Sequence, residues 1–117
     1  MKVVNRTEFL KLPPGTFYAK GKPWYFDGVT VKNANAYNGD DWWALHFCWP
    51  DTETGDCGEC IDVMEKSLAD GSSFPMQTAV DRDGLHDAEQ LFLVFEKAEL
   101  LQLRLLIDEA LLVGGGE

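Results

Sequence analysis

The residues best suited to chemistry are His46 and Cys48, followed by Cys57 and Cys60. His46-x-Cys48 falls on an alternating stretch, so both side chains point to one face of a strand, and Cys57-Gly-Glu-Cys60 has the spacing of a small knuckle. Four such donors converging on one tetrahedral ion would make a structural zinc site, and zinc is the one cofactor the sequence suggests. The simpler alternative keeps His46 and Cys48 as packed strand residues and the other two cysteines as loop thiols. A redox reading of Cys57-Gly-Glu-Cys60 at a helix start is weaker. Asp56, Glu59 and Asp62 oppose thiolate formation, and the strand-helix-strand setting of a thioredoxin-like domain is missing.

Other chemical motifs fail on spacing. Asp81-Arg82-Asp83-Gly84, with Asp87 and Glu89, lacks the third ligand and the closing glutamate of a calcium loop. There is no nucleophile elbow, glycine-rich phosphate loop or paired-histidine metalloprotease motif, so the expectation is a protein that is not an enzyme.

Charge carries the stronger signal. The 117-residue chain has a formal net charge of −10. Lys2, Arg6, Lys11, Lys20, Lys22 and Lys32 face only Glu8 and Asp27 in residues 1–32. The following stretch to Glu65 holds Asp40, Asp41, Asp51, Glu53, Asp56, Glu59, Asp62 and Glu65 without a lysine or arginine. Such a field repels nucleic acid and membrane phosphates and steers basic partners inward. The expected partner surface is Asp40, Asp41, Asp51, Glu53, Asp56 and Glu59, turned toward a basic surface of a partner protein such as a nucleic-acid channel, with no direct binding of nucleic acid or membrane. A second possibility uses the aromatic, basic N-terminal half: Trp24, Tyr25 and Trp42 would stack on a nucleotide-like ligand while Lys20 and Lys22 hold its phosphate. Most of these rings must also serve a small core.

The elements that position these groups can be read coarsely. Thr7 to Leu12 reads as a short helix, capped by Asn5 or Thr7 and stopped by Pro13-Pro14. Thr16 to Lys20, Trp24 to Asp27 and Val29 to Asn33 form short antiparallel strands, with a tight turn at Asp27-Gly28. Trp42 to Trp49 alternates as a longer strand. Ile61, Met64 and Leu68 repeat at helical spacing, Asp62 and Lys66 pair at i,i+4, and Gly71 ends that helix. Residues 72–86 read at most as a short strand and a loop. Leu91 to Phe95 is a short buried strand, and Ala98 to Val113 a leucine-rich helix wide enough to cover a sheet. Strands therefore gather before helices, which predicts one α+β domain over 1–117, mainly an antiparallel sheet packed on a long C-terminal helix, with two shorter helices and residues 114–117 disordered.

No apolar run approaches the roughly 18 residues that span a bilayer, no cleavable signal is evident, and three cysteines do not make a secreted disulfide framework. The expectation is a soluble intracellular protein. The layout of "FLKLPPGTFYAK", "PWYFDGVTVKN", an acidic middle and "LFLVFEKAELLQLRLLIDEAL" resembles small uncharacterised accessory proteins of tailed bacteriophages and prophages. That resemblance implies action in the bacterial cytoplasm during infection and carries over no functional residue.

Overall fold

A computed structural model describes residues 1–36, 39–50, 57–82 and 87–115. Its elements in chain order are β1 (Lys2–Asn5), α1 (Arg6–Leu10), β2 (Phe17–Lys22), β3 (Tyr25–Phe26), β4 (Thr30–Ala36), β5 (Asp41–Pro50), α2 (Cys57–Asp70), β6 (Met76–Arg82), β7 (Leu91–Val94) and α3 (Lys97–Ala110). A π-type turn, Leu111–Gly115, follows α3. The strands make one antiparallel sheet in the order β1-β7-β2-β4-β5-β6, and β3 pairs only with the end of β2. This is the α+β class that the clustering of strands before helices predicts.

Local chemistry sets the element boundaries. The Asn5 side chain accepts a hydrogen bond from the Glu8 N–H at 2.9 Å, so Asn5, not Thr7, caps α1. Gly71 closes α2 at φ 74, a left-handed position that a side chain rarely adopts. The predicted Asp62–Lys66 pair is not the one formed. Lys66 instead bonds Asp70 one turn on, at 2.9 Å, and this contact is the first cause that holds the Asp70 carboxyl below its usual range.

One sheet face holds the core. Phe9 from α1 stacks on Phe92 with ring centroids 4.0 Å apart, and Tyr18 and Trp42 close around the pair edge-on. All four rings are fully buried, and the indole N–H of Trp42 donates to the Tyr18 hydroxyl at 2.9 Å. A five-residue helix thus buries one large ring in a cage of three, and apolar burial here does more than helix propensity can.

The opposite face carries Phe17, Val29 and Phe47, across which α3 lies with Leu103 and Ile107 lining an apolar cleft of about 520 Å³. Contact is loose. Ile107 is 59% exposed, and no residue of α3 is buried. The start of α3 is fixed more firmly, by a reciprocal capping box between Glu96 and Glu99 and by the Met1 amino group, which pairs with both carboxylates.

Two side chains lie elsewhere than the sequence predicts. Asp41 does not belong to an accessible acidic face, because it is fully buried, with Arg6 at 3.9 Å and Arg82 at 3.3 Å. Trp42 does not offer a stacking surface, because it is fully buried among Phe9, Tyr18 and Phe92, with the Arg6 guanidinium 4.9 Å from the ring centroid. Ile61, Met64 and Leu68 do repeat along α2, but that ridge faces outward, while Cys60, Val63 and Ser67 face the body.

Candidate ligand-binding site

The row of core residues continues past the aromatic cage into a polar cradle. Register places Lys20 beside Phe92, and Asp81 beside Ala44, on the face that α1 covers only at one end. Tyr18 and Lys20 of β2, Thr30 of β4, Ala44 and His46 of β5, and Asp81 and Arg82 of β6 enclose about 240 Å³. Alternation along four strands explains most of the grouping, since residues two apart share a face and cross-strand partners stand side by side; Arg82, next to Asp81 and in register with Trp43, is the exception, and lies at the end of β6 within 3.3 Å of Asp41.

Each group in the cradle has a defined partner or role. His46 Nε2 and Asp81 Oδ1 are 2.8 Å apart, which fixes the plane of the imidazole and leaves its other ring edge turned away from the carboxylate. Arg82 uses its Nε toward Asp41 at 3.3 Å, so the buried carboxylate orients the guanidinium. Lys20 and the Thr30 hydroxyl add a cation and a donor. The arrangement offers convergent donors for an oxyanion, with the size of a phosphate or carboxylate head and not of a whole dinucleotide.

The remaining candidates are scattered. Lys22 pairs with Asp87 at 3.3 Å, and the Asp87 carboxyl is held below its usual range first by the Glu89 N–H and then by Lys22. Trp24 is 77% exposed and Tyr25 about half exposed, with ring centroids 6.2 Å apart, on the short hairpin that leads away from Lys20. Asp40 is exposed and Glu59 half-buried on α2. Asp51, Glu53 and Asp56 lie outside the described residues, as do the side chains of Cys48 and Cys57. Of the four zinc candidates, His46 is held by Asp81 and Cys60 is buried as a free thiol. Among the described residues, no three His, Cys, Asp or Glu side chains form a metal cluster.

Arg82, Thr30 and Asp81 were not among the sequence candidates. Asp81 and Arg82 belong to the motif that fails as a calcium loop, and only the pairing of β6 with β5 brings them to His46. Comparison with protein-family models, with curated proteins and with solved structures finds no match for the chain. Among the described residues, no helix is long and apolar enough to cross a membrane.

Proposed function

We propose that this is a non-catalytic binding protein that sequesters a small nucleotide-like anion, acting as a phage accessory protein in the cytoplasm of the infected bacterium. The observation that carries this reading is the cradle itself. In a chain with a net charge of −10, Lys20, Arg82, His46 and the Thr30 hydroxyl line one pocket of about 240 Å³ in which the one carboxylate, Asp81, is engaged by His46 at 2.8 Å. A phosphate there would gain charge-assisted hydrogen bonds, and the exposed Trp24–Tyr25 pair on the adjoining hairpin supplies aromatic surface for a base. Mass spectrometry of small molecules released when the purified protein is denatured tests this directly. A phosphorylated ligand present with the native chain and lost with Lys20→Glu supports it. A native protein that releases none, and that binds no nucleotide in equilibrium dialysis, overturns it.

A second reading rests on α2. Ile61, Met64 and Leu68 form an outward ridge at helical spacing, at least 45% exposed at each position, beside Asp62 and Glu65. An apolar ridge with acidic flanks suits docking into a groove with a basic rim on a host protein, with charge setting the association rate and the ridge setting residence time. Such binding would weaken with salt and fail in Asp62→Lys/Glu65→Lys, while a ligand enclosed in the cradle would be indifferent to both changes.

A further inference from the structure

We infer that β6 is the contact through which two copies of this chain associate, paired antiparallel edge to edge so that their sheets run on as one. The inference stands on the backbone of the sheet and does not need a ligand in the cradle.

The sheet ends in two edges that are built differently. β1, at one end, is four residues long, carries Lys2 and passes at once into α1, while the Met1 amino group before it is held by Glu96 and Glu99. A short strand with a lysine, tied at both ends, is a guarded edge. β6, at the other end, has seven residues with neither lysine nor proline, and among the described residues it pairs only with β5. Six of the seven are exposed. The irregularity beside His46 places the extra residue in β5, two positions against Thr78 alone, so β6 has no bulge there to turn its edge away. Its two charges do not guard the edge either. Asp81 is drawn to His46 at 2.8 Å and Arg82 to Asp41 at 3.3 Å, both on the β5 side. Every second residue of such a strand directs its N–H and C=O outward, and the partner that fits them is another extended strand.

Self-complementarity selects a second copy. In an antiparallel pair of identical strands, directly opposed residues must both face the partner, so the two-fold axis falls at a residue and never between two. Only an axis at Ala79 engages all seven positions of Met76–Arg82. Met76 then faces Arg82, Gln77 faces Asp81, Thr78 faces Val80, and Ala79 meets its own counterpart. The Gln77 amide offers a donor to the Asp81 carboxylate, Met76 lies along the aliphatic stem of Arg82, and Thr78 with Val80 makes a β-branched pair. A parallel pair would instead set Asp81 beside Asp81 and Arg82 beside Arg82, which like-charge repulsion disfavours. The two-fold pairing uses up both β6 edges and leaves a guarded β1 at each end of the joint sheet, so growth stops at two. Gln77 and Asp81 lie two steps of alternation apart, on the face that bears the cradle, so the second copy brings its Gln77 to the outer wall of that site.

Sedimentation velocity on the full chain tests the proposal. The wild type is expected to run at twice the 13.1 kDa chain mass at micromolar concentration. Ala79→Lys and Ala79→Glu each set like charges on the axis, at a position that is exposed, and each should run as a monomer with unchanged circular dichroism. Mixed in equal amounts, the two variants should recover the doubled mass, a rescue that a register centred on Ala79 provides. Hydrogen exchange of the wild type needs no substitution, and alternate β6 amides should gain protection as protein concentration rises. A wild-type monomer at every concentration overturns the proposal, including one that accepts a strand from another protein. So does a dimer that survives both substitutions, a pair of folded variants that fail to recombine, or β6 protection that is indifferent to concentration.

Discussion

Arg82, at the end of the outermost strand β6, holds its Nε 3.3 Å from Oδ2 of Asp41, the first residue of β5 and a side chain with no solvent exposure. The same carboxylate accepts the Trp42 N–H at 2.9 Å and stands 3.9 Å from the Arg6 guanidinium. One buried acid therefore ties α1, β5 and β6 together. Removing one partner from a buried ionic group strands the others, so Asp41→Ala should cost about 3 kcal/mol in denaturant unfolding. It should also loosen Arg82 and weaken anion binding in the cradle. If the variant melts with the wild type, the buried network has been misjudged.

Core truncations should separate the two sheet faces. Phe9 is fully buried and stacked on Phe92, so Phe9→Ala should cost about 3–5 kcal/mol. Ile107 shows more than half its surface, and Ile107→Ala should cost under about 1 kcal/mol. Urea unfolding of both variants measures the contrast. Equal losses would mean that α3 packs as tightly on the sheet as α1 does.

The contrast also shows what was legible in the sequence. Alternation from Trp42 to Phe47, the Pro13-Pro14 stop and the leucine run of α3 are local signals, and they place strands and helices within a few residues of those observed. Strand β1 gave no such signal. Its four residues become a strand by pairing with β7 across some ninety positions of sequence, as Val3 does with Leu93. The cradle was hidden for the same reason, because Asp81 and His46 meet only through the β5–β6 register. Helical spacing revealed the Ile61, Met64 and Leu68 ridge but not its direction, since periodicity marks an apolar face without saying what covers it. Asp41 reads as one more acid in an acidic run until the fold places Arg6 and Arg82 beside it.

Gly21 marks a place where two backbones crowd. A Cβ there would fall 2.7 Å from the Phe26 Cα and closer still to the Tyr25 carbonyl oxygen, which are backbone atoms and cannot rotate aside. Gly21→Ala should therefore push β3 off β2 and cost more than the propensity change alone, on the order of 1–3 kcal/mol. Hydrogen exchange should show the loss first at Asp27, whose N–H donates to the Lys20 carbonyl at 2.7 Å. Unchanged protection at that amide would contradict the clash.

Lys32 gives the fold a pH dependence of its own. Its side chain is 1% exposed, lies over the Phe9 ring at 5.8 Å and donates to Asn35 Oδ1 at 2.8 Å, with no carboxylate among its described partners. Burial pushes its pKa below the ordinary 10.5. Between that lowered value and 10.5 the unfolded chain binds more protons than the folded one, so stability contributed by this site rises with pH through the window. Below the window the cost of a buried ammonium is present in full; above 10.5 it is gone. Lys32→Met removes the titration while keeping the length of the stem. Unfolding free energies of both proteins, measured in parallel from neutral pH upward, should show the wild type gaining on the variant as pH climbs. The subtraction cancels the tyrosines and the other lysines that titrate there. A difference that stays flat, or that moves against the wild type, would mean that Asn35 and water offset the burial of the charge.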